Sequence, residues 1–402
     1  MIKIHKSIIS GELKAPPSKS HAHRLVICYA LSKTPKNIEY VGTDSYHSES
    51  VIKSIINCGN VPTDVECGQS ASSFRFLLPI AGALGKNIRF FVGDTLTKRS
   101  IASMLHCFNS HGVKIEKKSY GYESKGQLQS GEYVIPSDVC AQYISGLMFA
   151  LPLLKEDSKI ITSCDVITEY TYFTIRCLEE FGIKIEKTDY GYFIKGNQEY
   201  VAPQNDIELE GDWLSSAALF AAAAMTGEIT VTGLNMKPRQ VDMVILELLR
   251  RYGASVTVEG DKVTVKKGIC KPLCFDSKYT PGLVPIISIL CANAKGKSII
   301  KNVDSVSMQS PNRLDCLICL LTELGVKVAC NGKDLVIEGG NMTGKSLKGM
   351  EDHRIIMAGV LAGLVCGNVV LDDVYAINKS YPDFISDLEK VKAITTSNLA
   401  NI

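Results

Sequence analysis

The sequence predicts a two-domain α/β protein assembled from repeated units. Three observations predict it: a length of 402 residues, a helix–glycine–strand motif that occurs four times, and several helices apolar on every side. At this length a single hydrophobic core ordinarily splits in two.

The motif reads His111-Gly112-Val113-Lys114-Ile115-Glu116 and then Phe181-Gly182-Ile183-Lys184-Ile185-Glu186. It returns as Tyr252-Gly253-Ala254-Ser255-Val256-Thr257 and Leu324-Gly325-Val326-Lys327-Val328. Its glycines stand 70, 71 and 72 residues apart, and a weaker copy surrounds Gly59. Each glycine follows an amphipathic pattern and suits the left-handed position just past a helix, where a Cβ is penalised. The alternating residues after it read as a strand, and Tyr120-Gly121 or Tyr190-Gly191 as a turn into a second strand. A further helix completes each unit, at Gln142 to Leu154, Ser215 to Met225, Leu283 to Ala294 and Ile355 to Cys366. Ala217 to Ala224 is apolar all round, so these helices belong inside a globule rather than on a solenoid. Each domain should hold about three βαβαββ-type units.

Composition narrows the function classes. Apolar residues make up 46% and charged residues 21%, the balance of an ordinary globule. A net charge of +2 with scattered basic residues offers no nucleic-acid surface. The apolar stretch Leu283 to Cys291 is too short to span a bilayer, and Met1 to Ser10 alternates like a strand rather than a secretory leader. A soluble cytoplasmic monomer without nucleic-acid or membrane partners is expected. The fourteen cysteines then imply no disulfides. Cys316 and Cys319 form a CxxC within the apolar pattern Leu314-Leu317-Ile318-Leu321, so both are expected to pack in a helix rather than hold zinc.

Six segments in order carry a family resemblance. Ala15-Pro16-Pro17-Ser18-Lys19-Ser20-His21-Ala22-His23-Arg24 resembles the P-x-S-K-S-x-x-x-R loop of EPSP synthases, and Cys67-Gly68-Gln69-Ser70-Ala71-Ser72-Ser73-Phe74-Arg75 their glycine-rich segment. Lys98-Arg99, Asp212-Trp213, Asp352-His353-Arg354 and Lys379-Ser380-Tyr381-Pro382-Asp383 follow in family order. The resemblance implies the two-domain enolpyruvyl transferase fold, one domain near 16–211 and the other at 1–15 plus 212–402. It also implies a ligand cleft between them that closes on binding, and no cofactor or metal.

The family moves the carboxyvinyl group of phosphoenolpyruvate to a hydroxyl and releases phosphate. Phosphoenolpyruvate is a compact polyanion, so binding it calls for several cations, with arginine forks on the carboxylate. By resemblance Lys19, Arg99 and Lys379 hold the phosphate, Arg313 and Arg354 the carboxylate, and Gln142 sits against the same ligand. Lys19 and Lys379 are then also the catalytic candidates. On the acceptor side Ser20 and Arg24 match the positions that bind the shikimate carboxylate, and Tyr170 the tyrosine that lines the ring.

Other family positions are changed. The serine pair for the shikimate phosphate is Cys140 and Ala141, the third serine aligns with Ile167 beside Thr168, and the lysine with Gln309. The family aspartate is replaced by Gly282 in Pro281-Gly282-Leu283-Val284-Pro285, and the glutamate by Ser310 in Gln309-Ser310-Pro311-Asn312-Arg313. General acid–base groups contribute about 10²–10⁴-fold in rate. Retained cations beside lost carboxylates and phosphate ligands point to a repurposed cleft that takes a phosphoenolpyruvate-like anion and a carboxylate-bearing acceptor. A non-catalytic anion-binding homologue and an ordinary family enzyme are the competing readings.

Smaller signals remain. Ala71 stands where most of the family has glycine, a change resembling those that weaken glyphosate binding, or else a tolerated loop substitution. His21 and His23 read as surface histidines, with replacement bases as the alternative. His353 is expected to orient its neighbours, and Asp276 and Asp304 lie near the altered motifs.

Overall fold

The computed structural model describes all residues except 35, 37, 39–41, 60, 98–100, 137–140, 163–168, 239, 308–311, 349–351 and 398–402. The chain forms two compact units: Met1–Ser18 with Glu210–Ile402 (unit 1), and Lys19–Leu209 (unit 2).

Two strands open the chain, β1 (Ile2–Ile4) and β2 (Ser10–Lys14). Unit 2 then begins with α1 (Lys19–Leu31) and α2 (Gly42–Asn57). Its first complete repeat runs through β3 (Thr63–Gly68), α3 (Ala71–Ala83), β4 (Ile88–Val92), α4 (Asp94–Thr97), α5 (Ala102–Asn109), β5 (Val113–Lys118) and β6 (Gly121–Gly126). The next is β7 (Glu132–Ile135), α6 (Ala141–Ala150), β8 (Ser158–Thr162), α7 (Glu169–Glu179), β9 (Ile185–Thr188) and β10 (Gly191–Ile194). In both, the first two strands pair in parallel and the last two add antiparallel, giving the orders β3-β4-β6-β5 and β7-β8-β10-β9.

Unit 1 repeats the scheme three times. After β2 come α8 (Trp213–Thr226), β11 (Glu228–Thr232), α9 (Ile245–Tyr252), β12 (Ser255–Glu259) and β13 (Lys262–Lys266). Next are β14 (Cys274–Asp276), α10 (Val284–Asn293), β15 (Gly296–Lys301), α11 (Asp304–Ser307), α12 (Arg313–Glu323), β16 (Lys327–Asn331) and β17 (Asp334–Gly339). The chain closes on β18 (Ser346–Leu347), α13 (His353–Cys366), β19 (Val369–Leu371), α14 (Phe384–Lys390) and β20 (Thr395–Ser397). The sheet orders are β12-β13-β11-β2, β14-β15-β17-β16 and β18-β19-β1-β20. The N-terminal strand β1 thus fills the place that a hairpin strand fills elsewhere, antiparallel between β19 and β20.

The repeat glycines do what their spacing predicts. Gly112, Gly182, Gly253 and Gly325 have φ of 84°, 79°, 96° and 79°. At Gly253 the cap of α9 is left-handed, and its N–H returns to the carbonyls of Leu249 and Arg250. Gly59 is not among the glycines in this conformation, and β3 after it pairs in parallel with β4 rather than in a hairpin. The all-apolar helices are the buried ones: every residue of α8 except Leu214 is buried, as is most of α10 and α13. Cys316 and Cys319 do lie on a helix, α12, but Cys316 is half-buried and Cys319 faces solvent; only one side of this helix meets the core.

The chain leaves unit 1 at Ser18 and re-enters at Glu210, and the two segments are bonded together. The Ser18 N–H donates to Glu210 O (2.8 Å) and the Asp212 N–H to Pro16 O (2.7 Å), around a bridge between Pro17 and Gly211. The buried Glu210 carboxylate accepts from Asn235 Nδ2 at 2.8 Å and Gln240 Nε2 at 3.1 Å, which pins this junction to unit 1. Among the described residues no helix is long and apolar enough to cross a membrane.

Candidate functional site

Each unit gathers its own polar cluster. At the entry to unit 2, Pro16 and Pro17 of unit 1 keep the chain extended until α1 begins at Lys19. Lys19 Nζ contacts Asp44 Oδ2 at 3.1 Å, from the first turn of α2. One turn further along α1, Arg24 is only 3% exposed. Its guanidinium donates to Ser20 O (2.7 Å), Tyr170 O (3.2 Å) and Thr174 Oγ1 (3.0 Å). It also stacks on Phe76 and Phe173, 5.3 and 4.7 Å from the ring centroids. Burial pulls its pKa down, and the aromatic faces and carbonyl dipoles offset part of the desolvation. Arg24 therefore draws Ser20 and Tyr170, the two other expected acceptor residues, onto one guanidinium.

Beside them, Ser70 caps α3 by accepting from the Ser73 N–H at 3.3 Å. Ala71, read as part of a loop, is the first residue of that helix. Arg75 lies over the Tyr143 ring and donates to Gln142 Oε1 at 2.8 Å, while Gln142 Nε2 donates to Ser72 Oγ at 2.9 Å. Gln142 is thereby oriented by two residues of the glycine-rich segment.

The two histidines correct the sequence reading, because neither is at the surface. His21 is 0% and His23 2% exposed. His21 packs on Phe173, and His23 Nδ1 lies 2.6 Å from Ser48 Oγ, which lies 2.8 Å from Ser73 Oγ. The neighbours that bury them come from α2, α3 and α7, far away in sequence.

In unit 1, Asp352 caps α13 by accepting from the Arg354 N–H through Oδ1 at 2.8 Å. Its Oδ2 takes both Nε and Nη2 of Arg313, at 2.9 and 2.8 Å. Burial disfavours the Asp352 charge, but Arg313, His353 and the helix N–H outweigh it and hold the carboxyl well below its usual range. Burial likewise lowers the Arg313 pKa, opposed by Asp352. Arg313 itself opens α12, whose cap Asn312 accepts from the Leu314 and Asp315 N–H groups. Arg354 Nη1 donates to the Gly282 carbonyl at 3.2 Å. Thus Gly282, Arg313, Asp352 and Arg354 form one connected cluster. Lys379 ends the short helical turn Tyr375–Lys379 and is half-buried.

Arg99 lies outside the described residues, as do Lys98, Cys140, Ile167, Thr168, Gln309, Ser310 and Pro311. Asp276 and Asp304 are held elsewhere: Asp276 accepts from Asn302 Nδ2 at 2.9 Å and Asp304 pairs with Lys333 at 3.3 Å. Sequence reasoning missed Asp44, Arg75 and Thr174. Arg75 and Asp352 stood inside quoted motifs, whereas Asp44 carried only the signal of an acid in a helix's first turn.

The chain is similar to known proteins over nearly its whole length. A curated 3-phosphoshikimate 1-carboxyvinyltransferase of Clostridium acetobutylicum is 32% identical, covering 97% of this chain and 97% of its own. The protein of that name from Methanocorpusculum labreanum is 30% identical over 97% of this chain and 98% of its own. Among solved structures, the EPSP synthase of Acinetobacter baumannii aligns with a TM-score of 0.79 at 17% identity, over 98% of this chain and 99% of that one. The enolpyruvyl transferase NikO of Streptomyces tendae gives 0.75 at 16%, over 98% of each chain. At such identities the structures speak for the fold alone, which is the two-domain enolpyruvyl transferase fold. The family described as EPSP synthase (3-phosphoshikimate 1-carboxyvinyltransferase) matches residues 42–388, and this chain belongs to it.

Proposed function

We propose that this chain is a carboxyvinyl transferase that binds phosphoenolpyruvate, or a close analogue, and delivers the carboxyvinyl group to a carboxylate-bearing acceptor other than shikimate 3-phosphate. Lys19, Arg99 and Lys379 hold the phosphate, Arg313 and Arg354 the carboxylate, and Gln142 packs against the same ligand. Arg24, Ser20 and Tyr170 receive the acceptor. In the transfer a C–O bond forms between the acceptor oxygen and the vinyl carbon, the bond from that carbon to the phosphate oxygen breaks, and the hydroxyl proton ends on the released phosphate. Lys19 and Lys379 are the catalytic candidates, as cations that stabilise the departing phosphate.

The observation that carries the reading is the preassembled pair of Arg313 and Arg354 around Asp352, standing against Gly282 where the family has its aspartate. The test is phosphate release with phosphoenolpyruvate and either shikimate 3-phosphate or shikimate. We expect no turnover with shikimate 3-phosphate, while phosphoenolpyruvate raises the melting temperature; a ligand at 100 times its Kd adds about 2.7 kcal/mol. Turnover with shikimate 3-phosphate supports the second reading, an ordinary enzyme of the family. Identity of 30% or more to curated enzymes of that name over nearly the whole chain favours it.

A further inference from the structure

Gly282 sits in the middle of the turn Pro281–Leu283, directly before α10. Its backbone is not in the left-handed region, so the conformation itself does not ask for glycine. The space does. A Cβ built here would stand 3.1 Å from Arg354 Nη1 and 3.0 Å from Leu214 Cδ2, both tighter than ordinary contact. The same Arg354 nitrogen donates to the Gly282 carbonyl at 3.2 Å. The guanidinium is therefore seated on the peptide at 282, in the space a side chain would take.

The two arginines of this cluster are held by different chemistry. Arg313 is matched by a full negative charge on Asp352. Among the described residues, the Arg354 guanidinium meets a peptide carbonyl and no carboxylate. A carbonyl dipole orients a guanidinium without neutralising it, and this one carbonyl contact falls well short of an ion pair in a half-buried site.

We propose that Gly282 is a specificity-determining position: its missing side chain seats Arg354 on the backbone, with no carboxylate partner among the described residues, which commits that charge to the carboxylate of an incoming anion. A carboxylate side chain at 282 would start from a Cβ already beside Arg354 and would take the guanidinium for itself. Returning the family aspartate to this chain thus competes with the ligand instead of restoring a proton carrier. The proposal rests on the reading above that Arg354 receives the ligand carboxylate.

The experiment compares the wild type with Gly282→Ala, Gly282→Asn and Gly282→Asp. Phosphoenolpyruvate affinity is measured by titration calorimetry, and melting temperature without ligand. Gly282→Ala reports the steric cost alone, and Gly282→Asn adds the bulk of the acid without its charge. We expect Gly282→Asp to weaken phosphoenolpyruvate binding at least tenfold beyond Gly282→Asn. We also expect it to melt higher than Gly282→Asn, a difference abolished when each is combined with Arg354→Gln. Equal affinities for the Asp and Asn variants, or a melting difference that survives Arg354→Gln, would overturn the proposal. If the wild type itself fails to bind phosphoenolpyruvate, the functional reading falls, while the ligand-free cycle with Arg354→Gln still decides whether position 282 controls the charge on Arg354.

Discussion

Arg24 in unit 2 and Arg313 in unit 1 are both buried cations, yet the protein keeps them by opposite means. Arg24 is surrounded by two carbonyls, a hydroxyl and two aromatic faces, all neutral. Arg313 is gripped through two of its nitrogens by one acid oxygen. Neutral partners leave the charge on Arg24 intact and make it a strut between α1 and α7. The carboxylate at Arg313 cancels a charge, but the same Asp352 also fixes the start of α13 and so the placement of Arg354. One arrangement preserves charge; the other trades charge for position.

The sharpest way to break this comparison is Asp352→Asn. Removing one partner of a buried pair typically costs about 3–5 kcal/mol, because the other charge is left stranded. We expect a loss of that order in urea denaturation, together with weaker phosphoenolpyruvate binding. The pH dependence has a definite sign. Because the folded carboxyl titrates below its unfolded value of about 3.9, its stabilisation is complete above that pH and is lost as pH falls toward the folded value. The asparagine variant should therefore have a flatter acid limb between about pH 5 and 2.

Arg24→Lys should come next. Lysine keeps the charge but not the planar fork, so it cannot serve Ser20 O, Tyr170 O and Thr174 Oγ1 together. Stranded buried acceptors cost about 1–3 kcal/mol. If Arg24 is a strut that also aligns Ser20 and Tyr170, stability falls and the acceptor KM rises with phosphoenolpyruvate affinity unchanged. A variant as stable as wild type would erase the contrast with Arg313.

The smallest effect concerns the scaffold that both clusters share. Gly253→Ala forces a Cβ into a left-handed backbone at φ 96° and should cost about 1–2 kcal/mol. Gly260→Ala, at φ 63° in the exposed turn between β12 and β13, should cost a similar amount by the same mechanism. Matching denaturation midpoints would show that the repeat glycines act through backbone conformation and not through packing.

What could be read from the sequence was local. A glycine past a helix and a helix without a polar side are legible because their causes lie within a few residues, and Gly253 and α8 behave as their patterns require. His23 was misread because its burial depends on Ser48 and Phe76, which no periodicity in α1 reports. Arg24 was found as a cation through family resemblance, but its cage of Phe76, Phe173 and Thr174 arrives from distant elements. Gly282 was legible as a substitution and not as a seat for Arg354, since that requires knowing where α13 begins.

The paired segments at Ser18 and Glu210 set an order of events in time. Unit 2 is one uninterrupted stretch, so all its strands exist once residue 209 has been made. Strand β2 must wait for β11, and β1 for β19 and β20 near the far end of the chain. At about 5–20 residues per second, β1 spends on the order of tens of seconds on the ribosome without a partner. Long before then unit 2 can have folded, anchored at both ends to a unit that is still being written.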